Sequence, residues 1–158
     1  MSVTNVLTQL AAVLANVNPT PQPVPARIVS TPREAINISD FPMIVCAFGQ
    51  GVENEIGELA GGGYIKHNWT AVIYVFVAST VTPLPEVYSR CEPWPVAMAT
   101  ALYAKMTLNG ACAFIGEEGR LFKYQHAPID WTGDKKELYW VLKFELPIEE
   151  HLEVTLGA

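Results

Sequence analysis

Three histidines, three cysteines and a few carboxylates are the residues of this 158-residue chain whose types could do chemistry. His67, His126 and His151 are scattered, and none has a second histidine or cysteine at metal-ligand spacing, so no metal site is expected. Cys46 and Cys112 sit inside apolar runs, where a thiolate is disfavoured. Cys91 follows Arg90 and reads as the more exposed of the three. The number is odd and no CxxC pair occurs, which fits free thiols in a reducing compartment. Asp130 and Asp134 flank Trp131. They would suit acid–base work, but residues of this type also make turns with no pocket needed. The nucleophile-elbow, dinucleotide and Walker patterns do not occur. The chain is therefore read as non-catalytic, with no cofactor.

Binding surfaces are the other use of such residues. The stretch Gly49–Tyr64 holds six glycines together with Glu53, Glu55 and Glu58. It lacks the Gly-Lys-Ser/Thr end of a phosphate loop and the alternate ligands of an EF-hand. It is expected to be a long hairpin tip over 49–63, mobile alone and ordered against a partner. Val52, Ile56 and Leu59 would seat in a neighbour's groove, and the three glutamates would meet basic groups there. Trp94, between two prolines, and Trp131, in a loop, are further interface candidates, because tryptophan is enriched at interfaces.

The elements that must position these residues are legible in the spacing. Val3, Val6, Leu7, Leu10, Val13, Leu14 and Val17 make one apolar stripe, predicting a helix over 3–17. The prolines at 19, 21, 23 and 25 make a stiff connector. Ala26–Val29 suits a short strand, and Met43–Phe48 is a wholly apolar strand. The organising stretch is 66–78. Trp69, Ala71, Ile73, Val75 and Val77 fall on one apolar face. Asn68, Thr70, Val72, Tyr74 and Phe76 make a mixed second face, whose later half needs a helix or a neighbouring subunit over it. A helical turn is expected over 87–91, and an alanine-rich helix after Pro93 and Pro95 that closes at Asn109-Gly110. A hairpin, 111–115 with 120–126, turns at Gly116–Gly119. Leu138–Leu146 is a clean alternating strand, and a tail after Pro147 is free to pair at an edge.

The order predicts one α+β domain over 1–158: an antiparallel sheet with helices packed on one side and a long Gly-rich hairpin loop. Half the residues are hydrophobic and 16% charged, which is ordered globular composition. The net charge of -6, with no cluster of Lys and Arg, speaks against nucleic-acid binding. The first residues lack a basic region before an apolar run, so no secretory signal is expected, and no apolar run is long enough to span a membrane.

An N-terminal amphipathic helix, the strand Phe41-Pro42-Met43-Ile44-Val45, an acidic Gly-rich excursion, a long strand, a helix and a closing aromatic strand after Trp131-Thr132-Gly133 form a familiar order. It resembles the tail-terminator, or tail-completion, proteins of long-tailed bacteriophages. The resemblance implies a structural virion protein that closes into a homohexameric ring. That ring caps the tail tube and takes part in head–tail joining, with the tail tube protein and head–tail connector proteins as partners. It implies a place in the tail or neck of the virion, and in the host cytoplasm during assembly. The alternatives are another head–tail connector, neck or tail-tube subunit, or a small cytoplasmic enzyme or ligand-binding domain with the 49–63 segment as a lid.

Overall fold

The computed structural model describes residues 3–30, 38–49, 53–56, 63–130 and 138–154. In chain order the elements are α1 (Val3–Leu14), β1 (Arg27–Val29), a 3-10 turn (Ile38–Asp40), β2 (Met43–Phe48), β3 (Glu53–Ile56) and β4 (Gly63–Ser79). There follow α2 (Leu84–Cys91), α3 (Trp94–Tyr103), β5 (Phe114–Ile115), β6 (Lys123–Asp130) and β7 (Leu138–Val154). The strands form one sheet in the order β1-β2-β4-β7-β5, with β3 added to β4 and β6 added to β7. The fold is α+β.

Two 17-residue strands, β4 and β7, are the axis of the sheet and pair antiparallel along nearly their whole length. The alternation of β4 acts as the sequence implies. Trp69, Ala71, Ile73, Val75 and Val77 face the helices, with Leu142, Phe144, Leu146 and Ile148 of β7 beside them. Val6, Leu10, Val13 and Leu14 of α1, Val87 of α2, and Met98 and Leu102 of α3 close over that face. Each side chain of this size contributes about 1.5–3 kcal/mol when fully buried. A register shift between Phe76 and Ala78 lets both Val77 and Ala78 join the helix-side core, as a β-bulge does.

The second face carries a smaller cluster of Met43, Val45, Phe76, Tyr139 and Val141. Phe41 covers it, with ring centroids 5.5 Å from Tyr139 and 6.0 Å from Phe76. The cover expected from a helix or a neighbouring subunit is thus supplied by the chain itself, on the approach to β2.

Several boundaries differ from the sequence reading. α1 ends at Leu14 rather than at 17, because the last bonds tighten to i→i+3: Asn16 N donates to Val13 O and Val17 N to Leu14 O. Val17 is still buried. β1 runs parallel to β2, the one parallel pair among the described strands. The chain between them crosses through the 3-10 turn instead of a tight hairpin. α3 stops at Tyr103, and turns carry the chain on to Leu108 (φ 48°), Asn109 (φ 59°) and Gly110 (φ 85°). A left-handed Leu costs roughly 1–2 kcal/mol, which the complete burial of Leu108 offsets.

β5 and β6 do not pair with each other as a hairpin. The turn is present, with Glu117 N donating to Arg120 O at 2.7 Å. Both strands instead lie along β7, β6 against residues 138–145 and β5 against 148–149. β7 is long enough to serve both because it continues through Pro147, where a strand end was expected.

Candidate functional site

The cysteines come first, since they are the strongest nucleophiles in the chain. All three are free and buried. Burial pushes the Cys46 thiol up to about 12 and the Cys91 thiol up to about 11. Cys112 is pushed up to about 11, first by burial and then by the charge of Glu150, against a smaller opposite effect from the Phe114 backbone amide. At neutral pH these groups are protonated and poor nucleophiles. Cys91 is buried at the end of α2, not exposed as its neighbour Arg90 suggests. Arg90 turns away from it, donating to Val77 O at 3.1 Å and pairing with Glu86 one helical turn back.

One buried polar cluster went unrecognised in the sequence. Glu150 lies directly opposite His67 in the β4–β7 ladder and is 1% exposed. Its Oε2 accepts the Trp69 indole N–H at 2.9 Å and lies 3.1 Å from His67 Nδ1. Its Oε1 is buried without a hydrogen-bond partner among the described residues. A tautomer with the proton on Nδ1 makes the His67 contact a second hydrogen bond. The cluster ties the two long strands together at the point where the helix-side core ends. The available signal was parity: residue 150 shares a face with Leu142, Phe144 and Leu146 if β7 is continued past Pro147.

On the other face, no described residue covers the sheet beyond the Phe41 cluster. Thr70, Val72 and Tyr74 of β4 and Lys143, Glu145 and Pro147 of β7 floor a groove of about 470 Å³. Phe48 and Gly49 border it at the end of β2, and Arg120 and Lys123 border it on the approach to β6. Gly49 N donates to Thr70 O at 2.7 Å. A Cβ on Gly49 would stand 2.5 Å from that carbonyl oxygen, so the close approach requires glycine. A second hollow of about 440 Å³, lined by Phe122, Lys123, Tyr124, Gln125, Lys143 and Glu145, shares Lys123, Lys143 and Glu145 with the first. The two hollows adjoin at these shared residues, between the end of β2 and the β6 edge.

The interface candidates are divided. Glu53, Glu55 and Ile56 lie on β3, opposite Asn68, Lys66 and Ile65 of β4. Within the 49–63 segment, residues 53–56 thus form a strand paired with β4. Val52, Glu58, Leu59 and Trp131 lie outside the described residues. Trp94 is 1% exposed and belongs to the helix-side core, so it presents nothing to a partner. Its flanking prolines lie at the start of α3, where the indole is buried.

Of the three histidines, His67 pairs with Glu150. His126 stands edge-on to Tyr88 at 5.6 Å, and His151 Nε2 lies 2.6 Å from Glu149 Oε1. Among the described residues no group of three His, Cys, Asp or Glu is placed to hold a metal ion. Nor is any helix among them long and apolar enough to cross a membrane. Compared with models of known protein families and with curated proteins, the chain matches none.

Proposed function

We propose that this chain is a structural subunit of a phage tail: a tail terminator that assembles head to tail into a ring on the end of the tail tube and joins it to the head. The observation that carries the reading is the pair of unlike open edges on one sheet. Among the described residues, β1 and β3 on one side are bonded only inward, to β2 and β4. On the other side β5 and β6 are, among the described residues, bonded only inward, to β7.

An open edge offers a row of backbone donors and acceptors, and a neighbouring chain is what usually satisfies it. When the two edges differ, the contact is heterologous, and it makes a ring where the repeated rotation closes. The β6 edge carries exposed Tyr124, and exposed Phe114 lies on β5. Aromatic residues at an edge favour a protein neighbour over water. The order of elements, with a two-sided sheet and helices on one side, agrees with the resemblance to tail terminators. The role is structural rather than catalytic. Its partners are further copies of itself, the tail tube protein and the head–tail connectors, and its place is the virion neck.

The test is a polymerisation assay with purified tail tube protein. Added in excess, the chain is expected to stop tube growth and to appear as a cap at one end of each tube in electron micrographs. Tubes that elongate unchanged, with no density at either end, would refute the reading.

A further inference from the structure

We infer that the outer edge of β6 is a strand-addition site: along residues 123–127 it takes one extended polypeptide segment in which acidic and apolar residues alternate. The inference goes beyond the ring reading, which uses only that this edge is open.

The parity of the β7 ladder settles which backbone groups of β6 face outwards. Glu149 O and Pro147 O accept from Ala113 N and Gly116 N, on either side of β5, at 2.8 Å each. Backbone groups point to alternate sides along a strand, so the odd-numbered residues of β7 turn theirs towards β5 and β6. The register sets Glu145, Lys143, Val141 and Tyr139 opposite Lys123, Gln125, Ala127 and Ile129, and these residues of β6 bond to β7. Tyr124, His126 and Pro128 turn their backbone groups outwards. Pro128 agrees with that parity, because proline in a sheet belongs where its missing N–H faces away from the ladder. Among the described residues, nothing on the outer side bonds to the backbone of Tyr124 or His126. Each offers one N–H and one C=O to a further strand, and that pairing ends at Pro128, which has no N–H to give.

The side chains select the sequence of that strand. Residues paired across a ladder share a face, so Lys123 and Gln125 stand with Glu145 and Lys143 over the groove. Among the described residues lining the groove, Arg120, Lys123 and Lys143 stand against one acid, Glu145. Lys143 Nζ lies 3.5 Å from Glu145 Oε1, whereas Lys123 is exposed and has no ion-pair partner among the described residues. On the opposite face Tyr124 stacks on Phe144 at 5.6 Å, and His126 stands edge-on to Tyr88 at 5.6 Å. Tyr124 and Tyr88 are both exposed. An added strand places successive side chains on these two faces in turn. Those on the groove side meet Lys123 and Lys143 and are favoured as acids. Those beside Tyr124 and His126 meet aromatic rings and are favoured as apolar. Main-chain bonds then supply the affinity, and the two unlike faces supply the choice of sequence.

The probe is a capped peptide, Thr-Val-Glu-Val-Glu-Thr, titrated into the isotope-labelled chain. Read antiparallel to β6, it sets valines beside His126 and Tyr124 and glutamates beside Gln125 and Lys123. Binding is expected to saturate and to slow amide exchange at Tyr124 and His126 about tenfold or more, with Gln125 and Ala127 protected throughout. A peptide with Lys in place of Glu should bind about tenfold more weakly, and Lys123→Glu should reverse that order. His126→Pro removes one outward donor and leaves the β7 ladder whole, so binding should fall about tenfold; His126→Ala keeps the N–H and should lose less. A thermal melt shows whether each variant folds. If His126→Pro does not, N-methylation of the first valine of the peptide tests the same pairing from the other side. Light scattering on the same samples separates the strand site from the ring. A chain that binds the peptide and stays monomeric with tail tubes present keeps the strand site and loses the ring. Rings that His126→Pro breaks support both. Rings that exclude the peptide and survive His126→Pro overturn the strand site and leave the ring standing. A monomer that shows no saturable binding overturns the strand site.

Discussion

Trp69 donates its indole N–H to Glu150 Oε2 at 2.9 Å, joining β4 to β7 where the helix-side core gives way to the projecting end of the sheet. The same oxygen faces His67, and the other carboxylate oxygen has no partner among the described residues. The carboxylate is thus held by few donors, and each of them matters.

Trp69→Phe removes one donor while keeping an aromatic ring. It is expected to destabilise the fold by about 1–3 kcal/mol, the usual cost of leaving a buried polar group short of a partner. The denaturant midpoint checks it. A double-mutant cycle with Glu150→Gln should show a coupling well above zero, since the two groups are in direct contact. Additive effects would mean that the hydrogen bond contributes nothing.

The thiols set a pH dependence. All three are raised from their ordinary 9.0, Cys46 to about 12 and the other two to about 11. Below 9 the folded and unfolded chains both keep these protons, and the full contribution of burial is present. Between 9 and 11–12 the unfolded chain releases protons that the folded chain retains, so stability falls as pH rises. Replacing Cys46 by Ala should flatten that fall, as measured by urea midpoints across the alkaline range. A thiol label should enter Cys46 slowly in the native state and quickly in denaturant; fast native labelling would reopen Cys46 as a nucleophile.

Gly49→Ala tests the tight junction of β2 with β4. The added methyl would meet the Thr70 carbonyl oxygen at 2.5 Å and Val72 Cγ2 at 3.0 Å. Both neighbours are fixed in the sheet, so a loss of about 1–3 kcal/mol is expected, as for overpacking elsewhere. A thermal midpoint equal to wild type would show that the junction yields.

Much of this architecture is legible in the residues, and the failures have physical causes. The faces of β4 follow strict alternation because one side is buried under helices. The stripe of α1 follows helical spacing for the same reason. β7 was cut short at Pro147 because proline lacks a donor. In the ladder, Thr70 O is taken by Gly49 N, while Pro147 O accepts from Gly116 N at 2.8 Å. Thr70 and Pro147 face each other across a pair without mutual hydrogen bonds, so the missing donor costs β4 nothing. A strand that ends at Pro147 leaves Glu150 off the buried face, and only parity carried past residue 147 places it there. β3 was masked by the glycines around it: four residues of strand carry little periodic signal. Trp94 misled by type, since a tryptophan between prolines suits an exposed anchor as well as a buried helix start. The groove cations come from β7, from the turn before β6 and from β6 itself, and no local motif joins them.

The central claim is that unlike faces of this chain bind each other in a closed ring. The most direct measurement is the mass of the purified chain at micromolar concentration, by light scattering, alone and with tail tubes, followed by particle averaging in electron micrographs. The account predicts a discrete species well above the 17.3 kDa monomer in at least one of these conditions, with rotational symmetry in the averages. A strict monomer in both, with bare tube ends, would contradict it.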